Sequence, residues 1–380
     1  MALTLHGTVS DNEVILSRHN SKPLIINGDM NIFQRGTSVT SVTSNGVKVA
    51  DRMYFEYGSL GTWTIAQSTD VPTGQGFKYS QKYDCTTADA SPASGDYLLP
   101  IEYHFEGQDL QLLKKGTSSA EPITVAVWLK SNLTGNFILE IWDRENDRQI
   151  SSALNITSAN TWTKFVKTFA GDTTGTLSAD SSHRFSIGIW GDSGSDFRGG
   201  TLQTSWGAKT NANRCEGNVN LGSSTDNELL VCGLQMEIGS FDENSMPPFQ
   251  HDDIGTSLAR CQRYFQKSFP QGTDPQNYSS YVAGQSDNSI GATMSSTEFK
   301  TVVTLKCEMR SAPTITYYRA QNTPEDSEWT FYDGADRLNP SSMASNAQTH
   351  RFTAVLTYSS GLTAGNAGLC QGNYTADAEL

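Results

Sequence analysis

Short runs in which apolar and polar residues alternate recur along the chain, separated by clusters of Gly, Ser, Thr and Asn. In the run ITVAVWLKS, Ile123, Val125 and Val127 share one face of an extended chain, and Thr124 and Trp128 lie on the other. This pattern predicts an all-β fold, because ten such runs before residue 250 are typical of a sandwich. The ten runs are PLIING, RMYFEYG, WTIAQS, FKYSQKY, YLLPIEYHFEG, ITVAVWLKS, NFILEIWD, WTKFVKTFAG, RFSIGIWGD and LLVCGLQMEIG.

Two short helices are predicted between the strands. In GQDLQLLKKG, Leu110 and Leu113 follow helical spacing and Gly116 can supply a left-handed stop. In SLARCQRYFQ, an apolar face is formed by Leu258, Cys261 and Phe265, and the N-cap is Thr256 or Ser257.

Three parts of the chain are predicted. Residues 1–22 are polar and show neither helical nor strand periodicity, so we expect an extended arm. Such an arm is ordered only when it docks on a partner surface, and simple disorder is the equally weighted alternative. Residues 23–250 are expected to form a β-sandwich, which ends where SFDENSMPPFQHDDIG interrupts the strand pattern. Residues 251–380 form a smaller β-sandwich that opens with the second helix. Its strands are expected in YSSYVAGQS, SIGATMS, FKTVVTLKCEM, TITYYRA, EWTFYDG, RFTAVLTYS and GLCQGNYTADAEL.

Charge and composition narrow the classes of partner. The 27 Lys and Arg residues face 40 Asp and Glu, and the resulting net charge of -13 repels nucleic acid. No window approaches the length of a membrane span and the first residues lack a basic region, so we expect synthesis in a cytoplasm and no membrane insertion. The six scattered cysteines contain no CxxC and are expected to be free, buried thiols.

The stretch LIINGDMNIFQRGTS resembles a phosphate loop only superficially. It contains neither GxGxxG nor GxxxxGK[ST], so a turn at Asn27 and Gly28 after a first strand explains it better than nucleotide binding. No cofactor is predicted.

Candidate chemistry is sparse. Strand alternation places Glu102, His104 and Glu106 on one face, which is either a metal or acid/base cluster or, as we favour, a solvated polar face. The acids of WDRENDR lie in a predicted hairpin turn, where exposed carboxylates are ordinary. A calcium site at Asp192, Ser193 and Asp196 lacks a bidentate Glu and is less favoured still. No catalytic residues are predicted.

The aromatic residues offer a binding function instead. Six of the seven tryptophans fall before residue 250, and an indole face can stack on a sugar ring while neighbouring polar side chains bond its hydroxyls. For most of these tryptophans core packing is the simpler explanation. Trp142 and Trp206 have the most polar local settings and are the candidate glycan-stacking residues.

Four landmarks in a fixed order carry a family resemblance. LIINGDMNIFQRGTS, VADRMYF, EPITVAVWLKSN and the segment from LLVCGLQMEIGS to SLARCQRYFQ span residues 24–266, and VTLKCEMRSAPTIT and YTADAEL follow. Together they resemble virion structural proteins of tailed bacteriophages, usually described as tail-fibre or tail-associated proteins. The motif positions look architectural, with pairing of Asp51 with Arg52 and of Gln235 with Glu237 expected to close the first sandwich. These positions are Asn27, Gly28, Asp29, Arg35, Asp51, Arg52, Gln235, Glu237 and Arg263.

The resemblance implies a carbohydrate-binding-module-like jelly roll followed by a small β domain on an oligomer. We therefore expect a non-enzymatic protein of the virion, docked on other virion proteins through its arm, assembled as a homotrimer and contacting a host surface glycan. A capsid decoration or head-fibre protein that cements or ornaments the head is the alternative. A polysaccharide-trimming enzyme is third.

Overall fold

The computed structural model describes residues 23–278, 287–319, 329–332 and 337–380. The predicted arm (residues 1–22) and most of the run YSSYVAGQS lie outside the described residues. The chain forms two compact units. The first contains residues 23–31, Thr40–Gly46 and Tyr54–Asp253, and the second contains Ile32–Val39, Val47–Met53 and Ile254–Leu380. Nothing in the sequence pattern indicates that two short segments before residue 54 belong with the second unit.

The first unit is built on two antiparallel sheets. The six-stranded sheet has the order β1 (Ser38–Val42), β4 (Thr62–Ser68), β5 (Ser80–Thr87), β14 (Glu228–Ile238), β7 (Ile123–Ser131) and β10 (Thr163–Phe169). The second sheet has the order β13 (Gly207–Ala208), β9 (Arg148–Ile156), β8 (Gly135–Asp143), β11 (His183–Trp190), β6 (Tyr97–Glu106), β3 (Tyr54–Gly58) and β2 (Gly46–Val47), with β12 (Asp192–Ser193) paired to β6.

Burial follows the alternation that the sequence shows. Ile123, Val125 and Val127 of β7 are buried, as are Phe137 and Leu139 of β8. The chain passes repeatedly from one sheet to the other, between β1 and β2, β3 and β4, β5 and β6, β6 and β7, β7 and β8, β9 and β10, β10 and β11, and β13 and β14. Such crossing between two antiparallel sheets is typical of a sandwich. The predicted all-β class with sandwich-like architecture is confirmed.

Several local predictions are corrected. PLIING forms bends and a turn rather than a strand. GQDLQLLKKG forms the 3-10 helix Gly107–Leu113, and the left-handed residue that ends it is Lys114 (φ 50°). The strand β9 was not predicted, because its sequence RQISSALNI has Ser and Asn at positions where apolar residues would mark a strand.

The second unit is organised around one long strand. Its sheet has the order β20 (Arg337–Leu338), β19 (Thr330–Tyr332), β23 (Ala367–Asp377), β16 (Asp287–Thr293), β17 (Glu298–Thr304), β22 (Arg351–Thr357) and β21 (Ser342–Gln348). The last residues of β23 pair instead with β15 (Phe265–Lys267) and β18 (Thr314–Tyr318), so β23 contributes to two groups of strands. Aromatic residues, among them Phe299, Trp329 and Phe352, fill the core.

The helix of this unit, α1, spans Ile254–Gln262. It begins before the predicted N-cap residues Thr256 and Ser257, and Phe265 lies in β15 rather than on the helix. The helix buries Ser257 and Cys261, while Leu258 is half-buried. No helix among the described residues is long and apolar enough to cross a bilayer.

All six cysteines are free. Five are buried and Cys307 is half-buried, so the prediction of buried thiols fails only there. Burial raises the pKa of Cys85 to about 11 and that of Cys215 to about 12.

Candidate functional site

The outward face of the sheet that contains β8 and β6 carries polar and aromatic side chains. Phe137, Leu139 and Ile141 of β8 face the core, so Glu140 and Trp142 face outward. The register places His104 of β6, Ser186 of β11 and Trp142 of β8 in one row across three strands. The neighbouring row contains Glu102, Gly188 and Glu140. Functional groups from distant parts of the chain therefore meet on this face.

One part of this face is covered by the segment that follows β12. Phe197 and Cys215 of this segment pack on Leu99, Ile138 and Trp190. The rest of the face remains open beside the segment.

A cavity of about 240 Å³ lies at the border of the covered part. We call it the Trp142 cavity. It combines aromatic rings with three cations and two carboxylates. Its lining residues are Glu56, Tyr97, Leu99, Glu102, Trp142, Arg144, Phe197, Lys209, Asn211 and Arg214.

Trp142 is half-buried and its ring is surrounded by cations. The guanidinium carbons of Arg144 and Arg214 lie 4.1 Å and 4.8 Å from its ring, and Lys209 Nζ lies 4.2 Å from it. The indole Nε1 is buried and has no hydrogen-bond acceptor among the described residues. Trp142 thus keeps one unused donor.

Arg214 is fixed on the face by Glu140. Its Nε and Nη2 atoms donate to the two carboxylate oxygens at 2.8 Å and 2.7 Å. Trp190 Nε1 donates to the same carboxylate at 2.9 Å. The bidentate pair anchors the covering segment and sets one wall of the cavity.

Glu102 and His104 are buried, so the predicted solvated face is wrong for these residues, and Glu106 is buried as well. His104 Nε2 lies 3.0 Å from Glu102 Oε2, and the His104 ring stacks on His183 with 3.8 Å between centroids. Although burial opposes ionisation, His104 and His183 lower the pKa of Glu102 to about 2. Glu102 is therefore ionised at neutral pH. The described residues contain no group of three side chains suited to hold a metal ion.

Glu56 is the second carboxylate of the cavity. Tyr97 Oη donates to Glu56 Oε1 at 3.3 Å. Burial and the neighbouring Glu102 raise the pKa of Glu56. The two carboxylates thus have pKa values shifted in opposite directions.

Trp206 lines a separate cavity of about 470 Å³. This cavity also contains hydroxyl side chains, such as Thr168 and Ser205, and an Arg148–Asp172 pair. Trp206 Nε1 donates to Ala170 O at 2.7 Å. The structure therefore does not bring the two candidate tryptophans together, and the indole donor of Trp206 is already used.

Of the acids of WDRENDR, Glu145 and Asp147 lie in the turn between β8 and β9, as predicted, while Asp143 is the last residue of β8. Asp143, however, is buried rather than exposed, and Lys115 Nζ lies 2.5 Å from its Oδ2. This pairing explains how a carboxylate is tolerated there.

Asp192 and Asp196 do not share a site that the structure describes. Asp192 is buried and accepts hydrogen bonds from the backbone N–H groups of Ser193 and Gly222 at 2.7 Å and 2.8 Å. Asp196 is exposed, and its Oδ2 lies 3.4 Å from Ser94 Oγ. Burial raises the pKa of Asp192 to about 6.

The motif around Asn27 forms a turn. Met30 N donates to Asn27 O, and Asn27 itself has a left-handed backbone (φ 60°). Asp29 Oδ2 accepts from Asn31 Nδ2 at 2.6 Å and lies 3.2 Å from His251 Nδ1. A Cβ at Gly28 would overlap the carbonyl oxygen of Leu234, so the close approach of these two backbones requires glycine.

The pairing expected to close the first sandwich is only partly found. Gln235 Nε2 donates to Glu237 Oε1 at 3.0 Å in the first unit. Asp51 and Arg52 belong to the second unit, which corrects their predicted place. The structure shows Asp51 in an ion pair with Arg35, and Arg52 in an ion pair with Glu379.

Arg35 is the ionic partner of Asp51. Its Nη1 lies 3.4 Å from Asp51 Oδ1, and its Nη2 lies 3.1 Å from Asp377 Oδ2 and 3.4 Å from Glu379 Oε1. The guanidinium also lies 3.8 Å from the ring of Phe265. This network joins two distant parts of the chain within the second unit.

The remaining motif arginines also lie in the second unit and make contacts within it. Arg52 pairs with Glu379 and lies 3.5 Å from the ring of Tyr264. Arg263 is half-buried, and its carbonyl accepts a hydrogen bond from Arg310 N. These positions have architectural contacts.

Sequence reasoning identified Trp142 from its polar neighbours but missed most of the residues around it. Arg144 could have been found, since it follows Trp142 by two positions at the strand end. Nothing in the sequence around Trp142 indicates the other lining residues Glu56, Tyr97 and Arg214. Only the strand register and the covering segment bring them to Trp142.

Comparisons with known proteins give distant likenesses only. No family model and no curated protein matches the chain. The enzymatically active domain of tailspike protein 4 of bacteriophage CBA120 is 11% identical over 57% of this chain, with a TM-score of 0.29, and the match spans 21% of that domain.

Two other solved structures are similar at the same level. One is a putative sugar binding protein of Bacteroides thetaiotaomicron (11% identity, 57% of this chain, 100% of that chain, TM-score 0.31). The other is a carbohydrate-binding module described as CBM4 (8% identity, 48% of this chain, 94% of that chain, TM-score 0.25). At these TM-scores no conclusion about this chain rests on the likenesses.

Proposed function

We propose that the first unit binds a glycan in the Trp142 cavity, and that the chain is a non-enzymatic structural protein of a bacteriophage virion, of tail-fibre or tail-associated type. The observation that carries the glycan proposal is the composition of the cavity. A half-buried indole with a free N–H lies beside guanidinium, amine, carboxylate and amide groups. Sugars need an apolar surface for their ring faces and polar groups for their hydroxyls.

The virion assignment is supported by the four sequence landmarks of residues 24–266 and by the two segments that follow them, VTLKCEMRSAPTIT and YTADAEL. We propose that a homotrimer, docked through residues 1–22, presents the cavity to the surface of a host cell. Labelling of purified virions with an antibody against this chain tests the assignment. Signal on tails supports it, signal on heads favours the decoration alternative, and no signal on virions contradicts both.

A glycan array of bacterial surface polysaccharides, screened with the purified full chain, tests the binding proposal. Trp142→Ala should abolish the binding that the wild type shows, while circular dichroism confirms that the variant is folded. Trp206→Ala is the matched variant, since it removes the other candidate indole from a separate cavity. Loss of binding only in Trp206→Ala would move the site to that cavity.

Polysaccharide cleavage is the second candidate, favoured by one observation. Glu56 and Glu102 line the same cavity with pKa values shifted apart, as in acid and base pairs of glycosidases. Binding is preferred because Glu102 already pairs with His104 and Glu56 accepts from Tyr97. Release of reducing ends that stops in Glu56→Gln would establish cleavage.

A further inference from the structure

We infer that the Trp142 cavity selects a saccharide that carries an anionic substituent, recognised by Arg144 and Lys209. The inference rests on the proposed glycan binding and names the class of ligand. It begins from the charges of the cavity, whose rim concentrates cations on a chain with a net charge of -13.

Arg144 acts electrostatically on Glu102 and Glu56 but is not held in a salt bridge by either carboxylate. Its side chain is exposed, its guanidinium lies 4.1 Å from the ring of Trp142, and no carboxylate of the described residues lies within ion-pair distance. A guanidinium held against an indole is oriented but retains its N–H donors for a second partner. A carboxylate, sulfate or phosphate supplies acceptors that match them.

Lys209 is the second available cation. Its Nζ lies 4.2 Å from the Trp142 ring and 3.3 Å from Asp147 Oδ1. The Asp147 side chain is 66% exposed, so this pair is a surface salt bridge of small strength. Lys209 can therefore turn to a ligand at little cost.

The other charged groups of the cavity do not cancel this preference. Arg214 is neutralised by Glu140, and Glu102 is paired with His104. Glu56 accepts a hydrogen bond from Tyr97 Oη at 3.3 Å.

The indole N–H of Trp142 can donate a hydrogen bond to a ligand that is rich in acceptor oxygens. A buried N–H without an acceptor is costly, and Trp142 Nε1 has none among the described residues. An oxygen of a bound anionic sugar would satisfy it. The cavity volume of about 240 Å³ accommodates about one sugar ring with its substituent.

The experiment compares three probes on the purified full chain by titration calorimetry: a polyuronate oligosaccharide, its carboxyl-reduced form, and a sulfated neutral oligosaccharide. We expect the polyuronate, the sulfated sugar or both to bind at least about tenfold more tightly than the carboxyl-reduced form. The polyuronate and sulfate arms distinguish the two sources of negative charge. Raising the salt concentration should weaken the binding.

Two variants locate the contact. Arg144→Gln and Lys209→Gln should each weaken binding of the anionic probe by up to about tenfold. Neither variant should change the affinity for the carboxyl-reduced probe. Arg351→Gln, which removes an exposed cation of the second unit, is the control and should leave binding unchanged. Both substituted side chains are at least partly exposed, and thermal unfolding checks that the variants fold.

The outcomes separate the two proposals. Equal affinity for charged and neutral probes, with no effect of Arg144→Gln or Lys209→Gln, overturns the anionic preference and leaves glycan binding intact. Binding of neutral glycans but not of anionic ones would likewise overturn the anionic preference and leave glycan binding intact. If no saccharide on the array or in the titrations binds, the proposed function fails and the inference fails with it.

Discussion

Arg214 and Glu140 form a buried, bidentate ion pair, with Nε and Nη2 of the arginine 2.8 Å and 2.7 Å from the two carboxylate oxygens. Glu140 lies on the outward face of β8, and Arg214 comes from the segment that covers part of this face. The pair therefore positions a wall of the Trp142 cavity and leaves Arg144 and Lys209 as its available cations.

Removing one partner of this pair should destabilise the protein strongly. Glu140→Gln or Arg214→Met leaves a buried group without its ionic partner, for which we expect a loss of about 3–5 kcal/mol in the free energy of unfolding. The double variant Glu140→Gln/Arg214→Met should lose less than the sum. Urea unfolding of the four proteins measures the coupling, and additive effects would contradict the pairing.

Gly28→Ala should destabilise the turn near the start of the first unit. A Cβ there overlaps the backbone of Leu234 in β14. Either β14 or the turn that contains Gly28 must therefore shift, at a cost of about 1–3 kcal/mol in the free energy of unfolding. Gly95→Ala is the control, because its Cβ would meet only Asp196 Oδ2, at 3.7 Å. Equal stabilities of the two variants in denaturant unfolding would argue against the close approach.

Asp192 should make the stability of the protein depend on pH between about 4 and 6. Its pKa is raised from 3.8 to about 6, so in this window the folded protein binds more protons than the unfolded chain, and stability falls as pH rises. Asp192 should account for at most about 3 kcal/mol of this decrease in the free energy of unfolding, and the Asp192→Asn variant should lack that part of the pH dependence.

Thermal or urea unfolding at several pH values measures the difference between wild type and Asp192→Asn. The exposed Asp196→Asn serves as control and should keep the wild-type profile. A profile for Asp192→Asn parallel to the wild type would contradict the pKa shift. Asp51, whose pKa burial also raises to about 6, contributes equally to both proteins and cancels in the comparison.

Arg35→Met should destabilise the second unit. The change removes the ion pair with the buried Asp51 and the contacts to Asp377 and Glu379, which predicts a loss of about 3–5 kcal/mol in the free energy of unfolding. Arg351→Met, on an exposed position, should change stability by no more than about 0.5 kcal/mol. Denaturant unfolding compares them, and equal stabilities would refute the role of Arg35.

The strands were largely predictable because burial follows local alternation. The residues of β7 and β8 alternate clearly, and both strands form where the pattern indicates. In β9, Ser151 lies opposite Glu140 of β8 and is buried. A polar residue therefore occupies a buried position of this strand, and the alternation of apolar and polar residues that would predict a strand is absent. Tertiary contacts, rather than the β-propensity of the residues, determine that β9 is a strand.

The site was predictable only at Trp142. Its cavity needs Glu56 from β3, Glu102 from β6 and Arg214 from the covering segment, and strand register decides which of them meet. The same limit explains why Asp51 was paired with Arg52 in the prediction. Asp51 and Arg52 lie in a turn, and the tertiary fold brings Arg35 to Asp51 and Glu379 to Arg52.

The most direct test of the central claim is a calorimetric titration of the full chain with the saccharide that binds best on the array, for wild type and Trp142→Ala. The account predicts saturable binding with one site per chain, weakened at least about tenfold in the folded variant. Undiminished binding by Trp142→Ala would contradict the proposed site, and the absence of any saccharide binding by the wild type would contradict the proposed function.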